Sequence, residues 1–199
     1  MPGCSVCPQM ERLFEGMHRG GEISSLQIVD VTEHPNLVKQ HGIRSVPFYL
    51  INEVAFSGLR TRAEIEALLG QGEAQIWQDK ITQQLAAGEL DSVEQDIRQH
   101  DEARDAMMSL LQNDGTELVV RLGLTAIIEE LAQSGVLTGL EQRFIALSDH
   151  DDDRIATDAL YYLDLLATPL TLQALAQVAM QGRQSLRAEA EELLAEHAE

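Results

Sequence analysis

From Glu73 to the C-terminus the chain carries a single proline, Pro169, and no convincing alternation of apolar and polar residues. Without that alternation there is little to build a half-buried sheet, and with one proline there is little to interrupt helices. Leu, Ala, Glu and Gln fill the stretch, all good helix formers. Apolar spacing and the intervening Gly, Asp and Asn predict helices over 73–87, 90–99, 101–112, 116–133, 137–147, 152–167, 170–181 and 184–197. Only 4% of the chain is aromatic, so Leu, Ile, Val, Ala and Met must fill its core. Met107, Met108 and Trp77 are read as packing residues, Trp77 between modules.

A loose period runs through the last hundred residues. Arg121, Arg154 and Arg187 stand 33 apart, each followed six residues later by an apolar residue, Ile127, Leu160 or Leu193. "TELVVRLGLTAII", "DDDRIATDALYYL" and "QSLRAEAEELL" therefore read as second helices of successive helical pairs. This pattern resembles HEAT-like repeats, which bury a continuous core only by stacking and need about three units. "EAEELLAEHAE" suits a polar cap at the end of such a stack.

The first 71 residues have a different texture. Cys4 and Cys7 are three apart, Pro8 follows, and the chain holds no other cysteine. Met10, Leu13, Phe14 and Met17 then recur at i, i+3, i+4 and i+7, one stripe of a helix that Gly20-Gly21 ends. "SLQIVDVTE" (Ser25 to Glu33) reads as a strand and "HPNLVKQHG" as a short helix stopped by Gly42. "VPFYLIN" (Val46 to Asn52) reads as a second strand, with "EVAFSG" as its hairpin partner. "TRAE" (Thr61 to Glu64) is a capping box for a helix carrying Ile65, Leu68 and Leu69.

The order is CxxC, helix, strand, helix, strand, strand, helix, over roughly Met1 to Gln71. It resembles the thioredoxin fold, in the glutaredoxin-like variant with proline after the second cysteine. "SVPFYLIN" and "DVTEHPNLVKQHGIRSVP" carry the likeness further, since thioredoxin-like proteins place a cis-proline before their third main strand. The fold expected is α/β plus all-α: a thioredoxin-like domain over 1–71, a helical connector over 72–100 and HEAT-like helical repeats over 101–199. The resemblance also implies a central apolar strand ahead of the CxxC. Only Met1-Pro2-Gly3 precede Cys4, so we expect the first strand to be missing here, through a start placed downstream of it or through its loss.

A thiolate is the attacking species in disulfide exchange, and a free cysteine has a pKa of about 8.5. At the N-terminus of the Met10 helix, Cys4 would meet orphan N–H groups and the positive end of the helix dipole. Cys7, one turn on and deeper in the helix, is close enough to attack a mixed disulfide formed at Cys4. The resemblance implies that Cys4 is the nucleophile and Cys7 the resolving thiol. It also implies that Pro47, if cis, and the Val46 backbone position an extended substrate segment. The redox group would be the disulfide itself, with no cofactor.

Other chemistry is less well supported by the residues. The histidines are scattered at 18, 34, 41, 100, 150 and 197 and form no second paired-ligand motif, so no metal site is expected. Asp149, Asp151 and Asp153 imitate the start of a calcium loop. Arg154 replaces its glycine and Leu160 its closing glutamate, so a helix N-cap and turn is expected instead. The net charge of −19 argues against nucleic acid, whose phosphates need clustered Lys and Arg. The charge is uneven: 6 Lys/Arg face 8 Asp/Glu through Gln71, and 8 face 25 beyond it. No window approaches the roughly 18 apolar residues of a membrane span, and no signal peptide is evident, so the expected location is cytoplasmic.

These observations lead to a thiol–disulfide oxidoreductase with a protein disulfide or dithiol as substrate. Its acidic helical repeats would recruit a second protein. The alternative is a non-catalytic adaptor with a vestigial thioredoxin-like domain, and metal delivery by the two thiolates is a third reading.

Overall fold

The computed structural model describes residues 4–197, which fall into two compact units divided between Ile76 and Trp77. In the first unit, α1 (Cys7–Arg19) begins directly at the second cysteine, with proline in its first turn. Gly21, at φ 77°, turns the chain away, and the Glu22 amide donates to the Met17 carbonyl at 3.0 Å. A short helix, α2 (Pro35–Gln40), follows. Strands β1 (Phe48–Ile51) and β2 (Val54–Ser57) form an antiparallel hairpin with Phe48 opposite Ser57 and Ile51 opposite Val54. Helix α3 (Arg62–Leu69) starts at the expected capping box: Thr61 accepts from the Glu64 amide, and Glu64 accepts from the Thr61 amide.

One expected strand does not form. Residues 25–33 belong to no sheet, and β1 with β2 is the only sheet among the described residues. The β-branched residues there favour extension, but a strand requires a ladder partner. At its end Asp30 builds a turn instead, accepting from the Thr32 amide at 2.9 Å and the Thr32 hydroxyl at 2.7 Å. The position expected for a strand ahead of Cys4 lies outside the described residues.

The hairpin turn is two residues long, and both Asn52 and Glu53 have positive φ, 48° and 69°. This is the requirement of a type I′ turn, which Asn meets easily and Glu does not. Glu53→Gly is therefore expected to stabilise the first unit by about 1 kcal/mol. Chemical unfolding followed by far-UV circular dichroism checks it, and destabilisation would contradict the strain assignment.

The second unit is helical: α4 (Glu73–Ala86), which starts before the division, then α5 (Leu90–Gln99), α6 (Asp101–Gln112), α7 (Leu118–Leu131), α8 (Glu141–Ser148), α9 (Asp153–Leu166), α10 (Pro169–Gln181) and α11 (Gln184–Glu196). Helix α5 packs on α6 and α7, α8 packs on α9, and α10 and α11 pack on each other and on α9. The stretch expected as a connector thus contributes α5 to this packing. Contacts recur at a spacing of 32 or 33 residues. Tyr161 donates to Glu129 at 2.7 Å, the Gln133 amide donates to the Leu165 carbonyl at 3.1 Å, and His197 lies 2.6 Å from Asp164.

The spaced arginines do not share one environment. Arg121 is buried, donating to the Leu111 carbonyl at 3.3 Å and to Asp158, whereas Arg154 and Arg187 are exposed. A shared sequence interval thus places them at different depths of their helices. Tyr162 is buried, edge-on to Phe144, and its hydroxyl lies 2.8 Å from that of Thr125. Burial pushes its phenol up to about 12. Asp152 caps α9 by accepting from the Arg154 amide at 2.8 Å, so the acidic run is a helix start. The Arg154 guanidinium, which also hydrogen-bonds Asp152, holds that carboxyl well below the usual range.

Trp77, expected between modules, packs inside the second unit. Its ring centroid lies 4.7 Å from the Lys80 ammonium and 5.1 Å from the His100 ring. Lys80 is itself buried and pairs with Asp96 at 2.6 Å. Met107 and Met108 are core residues. Of the acidic tail, Ala198 and Glu199 lie outside the described residues. No helix among the described residues is long and apolar enough to cross a membrane.

Candidate redox site

Helix α1 is held by its apolar stripe. Met10 and Met17 are fully buried, and Phe14 lies against Tyr49 of β1 with ring centroids 5.2 Å apart. Tyr49 in turn stacks on Phe56 of β2 at 5.9 Å. The Arg60 amide donates to the Met10 sulfur at 3.5 Å, tying the entry of α3 to the same helix. The residues that bury the helix therefore also fix where its first turn sits relative to the β1 entry.

At that first turn Cys4 and Cys7 form a disulfide, with Cα atoms 5.5 Å apart. Both are partly buried. They differ in place along the helix: Cys7 is the first residue of α1, while Cys4 stands in the turn ahead of it. The Cys7 amide donates to the Cys4 sulfur at 3.1 Å. An N–H aimed at this sulfur stabilises negative charge there, an advantage to a thiolate at Cys4.

Across from the disulfide runs the loop into β1. The Val46–Pro47 peptide is cis, and the Val46 carbonyl oxygen lies 3.8 Å from the Cys4 sulfur. The Pro47 carbonyl accepts from the Gly58 amide at 2.9 Å, anchoring the loop to the hairpin. All four residues singled out from the sequence, Cys4, Cys7, Val46 and Pro47, thus meet at one place although Cys7 and Val46 stand 39 positions apart. Of the two histidines nearby in sequence, His34 stands at the N-cap position of α2 without a side-chain hydrogen bond to it, and His41 ends the helix with its ring 6.2 Å from Phe48. Among the described residues no group of three His, Cys, Asp or Glu is placed to hold a metal ion.

Sequence reasoning missed a groove beside the disulfide, about 840 Å³ in volume. Cys7, Val46 and Pro47 contribute to its lining, as do residues 22–31 and the whole of β1. Its signal in the sequence was the apolar stretch of 25–33, read there as a strand.

Residues 1–70 match a family model described as a thioredoxin domain. No curated protein and no solved structure matches the chain.

Proposed function

We propose, from residues 1–70 being a thioredoxin domain, that the protein is a thiol–disulfide oxidoreductase working through Cys4 and Cys7. The observation that carries this reading is the disulfide at the start of α1, with the Cys7 amide on the Cys4 sulfur and the Val46–Pro47 loop alongside. In the reducing direction the Cys4 thiolate attacks one sulfur of a substrate disulfide. A Cys4–substrate disulfide forms, and the other substrate sulfur leaves as a thiolate that takes up a proton. Cys7, losing its proton, then attacks the Cys4 sulfur. The second substrate thiol is released and the Cys4–Cys7 disulfide is restored. Two electrons pass from the dithiol to the substrate, and the reverse sequence oxidises a substrate dithiol. No cofactor takes part in either direction.

Pro47 and the Val46 backbone serve this exchange by holding an extended substrate segment against Cys4. The helical unit, read as HEAT-like repeats, serves as a partner platform. Leu118, Val119 and Leu122 support that role, being exposed together on α7, with Leu118 at 70%. If so, Leu118→Lys with Leu122→Lys lowers mixed-disulfide trapping of protein partners while leaving exchange with glutathione unchanged; equal loss of both would remove the platform.

The oxidoreductase itself is tested by stoichiometry. The reduced full-length chain, mixed without oxygen with a protein disulfide such as insulin, should consume one substrate disulfide for each Cys4–Cys7 disulfide formed. Persistence of the dithiol beside intact substrate would exclude the reading for that class of substrate and direction. The same mixture run with oxidised protein and a reduced substrate covers the other direction.

A further inference from the structure

Helix α7 lies between α5 and α9 and also packs on α6. One of its faces is left open. Leu118, Val119 and Leu122 stand there 70%, 48% and 61% exposed, and the exposed Ala126 continues the face one turn on. Three large apolar side chains within little more than one turn form a patch rather than scattered single residues. Helices of the same unit flank α7 on both sides, so the open face is not an end of the stack. At its edge Leu85 of α4 rests on Gly123, where a Cβ would come 2.8 Å from a leucine methyl. The turn that follows, with Glu89 and the half-exposed Leu90, therefore borders the Val119 side of the face.

The charge around this face has one sign. Glu117 stands at the N-cap position of α7 and Glu89 at that of α5, and neither side chain caps its helix. Glu130 is exposed in the last turn of α7. Arg121, the one cation of α7, is buried against Asp158 and the Leu111 carbonyl. No Lys or Arg occurs from Ile81 to Ile97 or from Leu122 to Gln142. Arg154 approaches at the Asp114 carbonyl, but its guanidinium is bound to Asp152.

Taking the helical unit as the partner platform proposed for it, we infer that its α7 face binds an amphipathic helix of another protein, with a Leu-rich stripe bordered by Lys or Arg. Beyond its first turn the main chain of α7 is bonded within the helix, so the face offers side chains and no ladder to an extended segment. A docking helix satisfies its own main chain and presents an apolar stripe at i, i+3, i+4 and i+7. That stripe covers Leu118, Val119 and Leu122. Its basic borders meet Glu117, Glu89 and Glu130, which act at the rim on orientation and association rate. The same carboxylates oppose an anionic lipid surface.

The test uses the full chain and a fluorescein-labelled peptide, Lys-Leu-Lys-Lys-Leu-Leu-Lys-Lys-Leu-Lys-Lys-Leu-Leu-Lys, followed by fluorescence polarisation. Saturable binding is expected, weakening as NaCl is raised. It should fall at least about tenfold for the same residues reordered to leave no apolar face, for Glu in place of every Lys, and in Leu118→Gln with Leu122→Gln. Met180→Gln, at a residue of α10 that is 69% exposed, should leave binding unchanged. Independently of these variants, benzoylphenylalanine placed at Val119 should photo-crosslink to the peptide. No binding, binding indifferent to peptide order or to the leucine pair, or a crosslink confined to the chain's own first unit or to a second copy would overturn the proposal. So would capture of the chain by phosphatidylserine vesicles through the same leucines. Partner trapping lowered by Leu118→Lys with Leu122→Lys, beside no peptide binding, would remove the docking helix and keep the platform. Trapping untouched by that pair would remove both.

Discussion

Cys4→Ser is expected to lower disulfide exchange by on the order of a thousandfold or more, to the level of the uncatalysed mixture. The hydroxyl that replaces the thiol is not ionised at neutral pH and forms no disulfide, so the first step has no nucleophile. Cys7→Ser should behave differently. Attack by Cys4 survives, but nothing resolves the product, and the chain stops as a Cys4–substrate mixed disulfide that mass spectrometry locates. The asymmetry follows from the turn geometry: the Cys7 amide is directed at the Cys4 sulfur, and Cys4 lies beside the Val46 carbonyl. Turnover retained in Cys4→Ser would assign the nucleophile to Cys7. Turnover retained in both variants would remove the pair from the reaction.

The second large effect lies in the helical unit. Asp96→Asn is expected to destabilise it by about 3–5 kcal/mol, because it leaves the Lys80 ammonium buried without its counter-charge. The lone tryptophan reports this locally: Trp77 is buried against Lys80, and its emission shifts to longer wavelength on exposure to water. The pH dependence has a definite sign. Burial lowers the Lys80 pKa below 10.5, and Asp96 opposes that shift. Between the folded and unfolded values the unfolded chain binds more protons, so stability rises with pH through that window. Removing Asp96 lowers the folded value further and widens the window downward. Urea midpoints from Trp77 emission should therefore recover more between pH 7 and 10 in Asp96→Asn than in the wild type. A pH-independent difference would mean that Asp96 acts through packing alone.

How much of this was legible beforehand differs between the two units. Helix α1 was readable because four apolar residues at helical spacing admit one burial face, and Met10 and Met17 are indeed buried there. The helix at Thr61 was readable because its capping box is a local chemical signature. The site was legible as two distant motifs, "CSVCP" and "SVPFYLIN", which the structure brings within 3.8 Å. What failed was long-range. The stretch 25–33 has strand composition, yet a ladder depends on a neighbour that composition does not name. The arginine spacing marked comparable helices but not burial, which depends on what each helix meets: Arg121 finds Asp158 and the Leu111 carbonyl, and Arg154 folds back on Asp152. The Lys80–Asp96 pair joins two helices sixteen positions apart and leaves no local signature.

The division of labour between the two cysteines is tested most directly by a short iodoacetamide pulse on the fully reduced wild-type chain, with the modified residue mapped by mass spectrometry. Cys4 should be alkylated first and Cys7 much more slowly, because only the Cys4 sulfur has the Cys7 amide directed at it. Equal labelling of the two, or labelling of Cys7 first, would contradict Cys4 as the nucleophile.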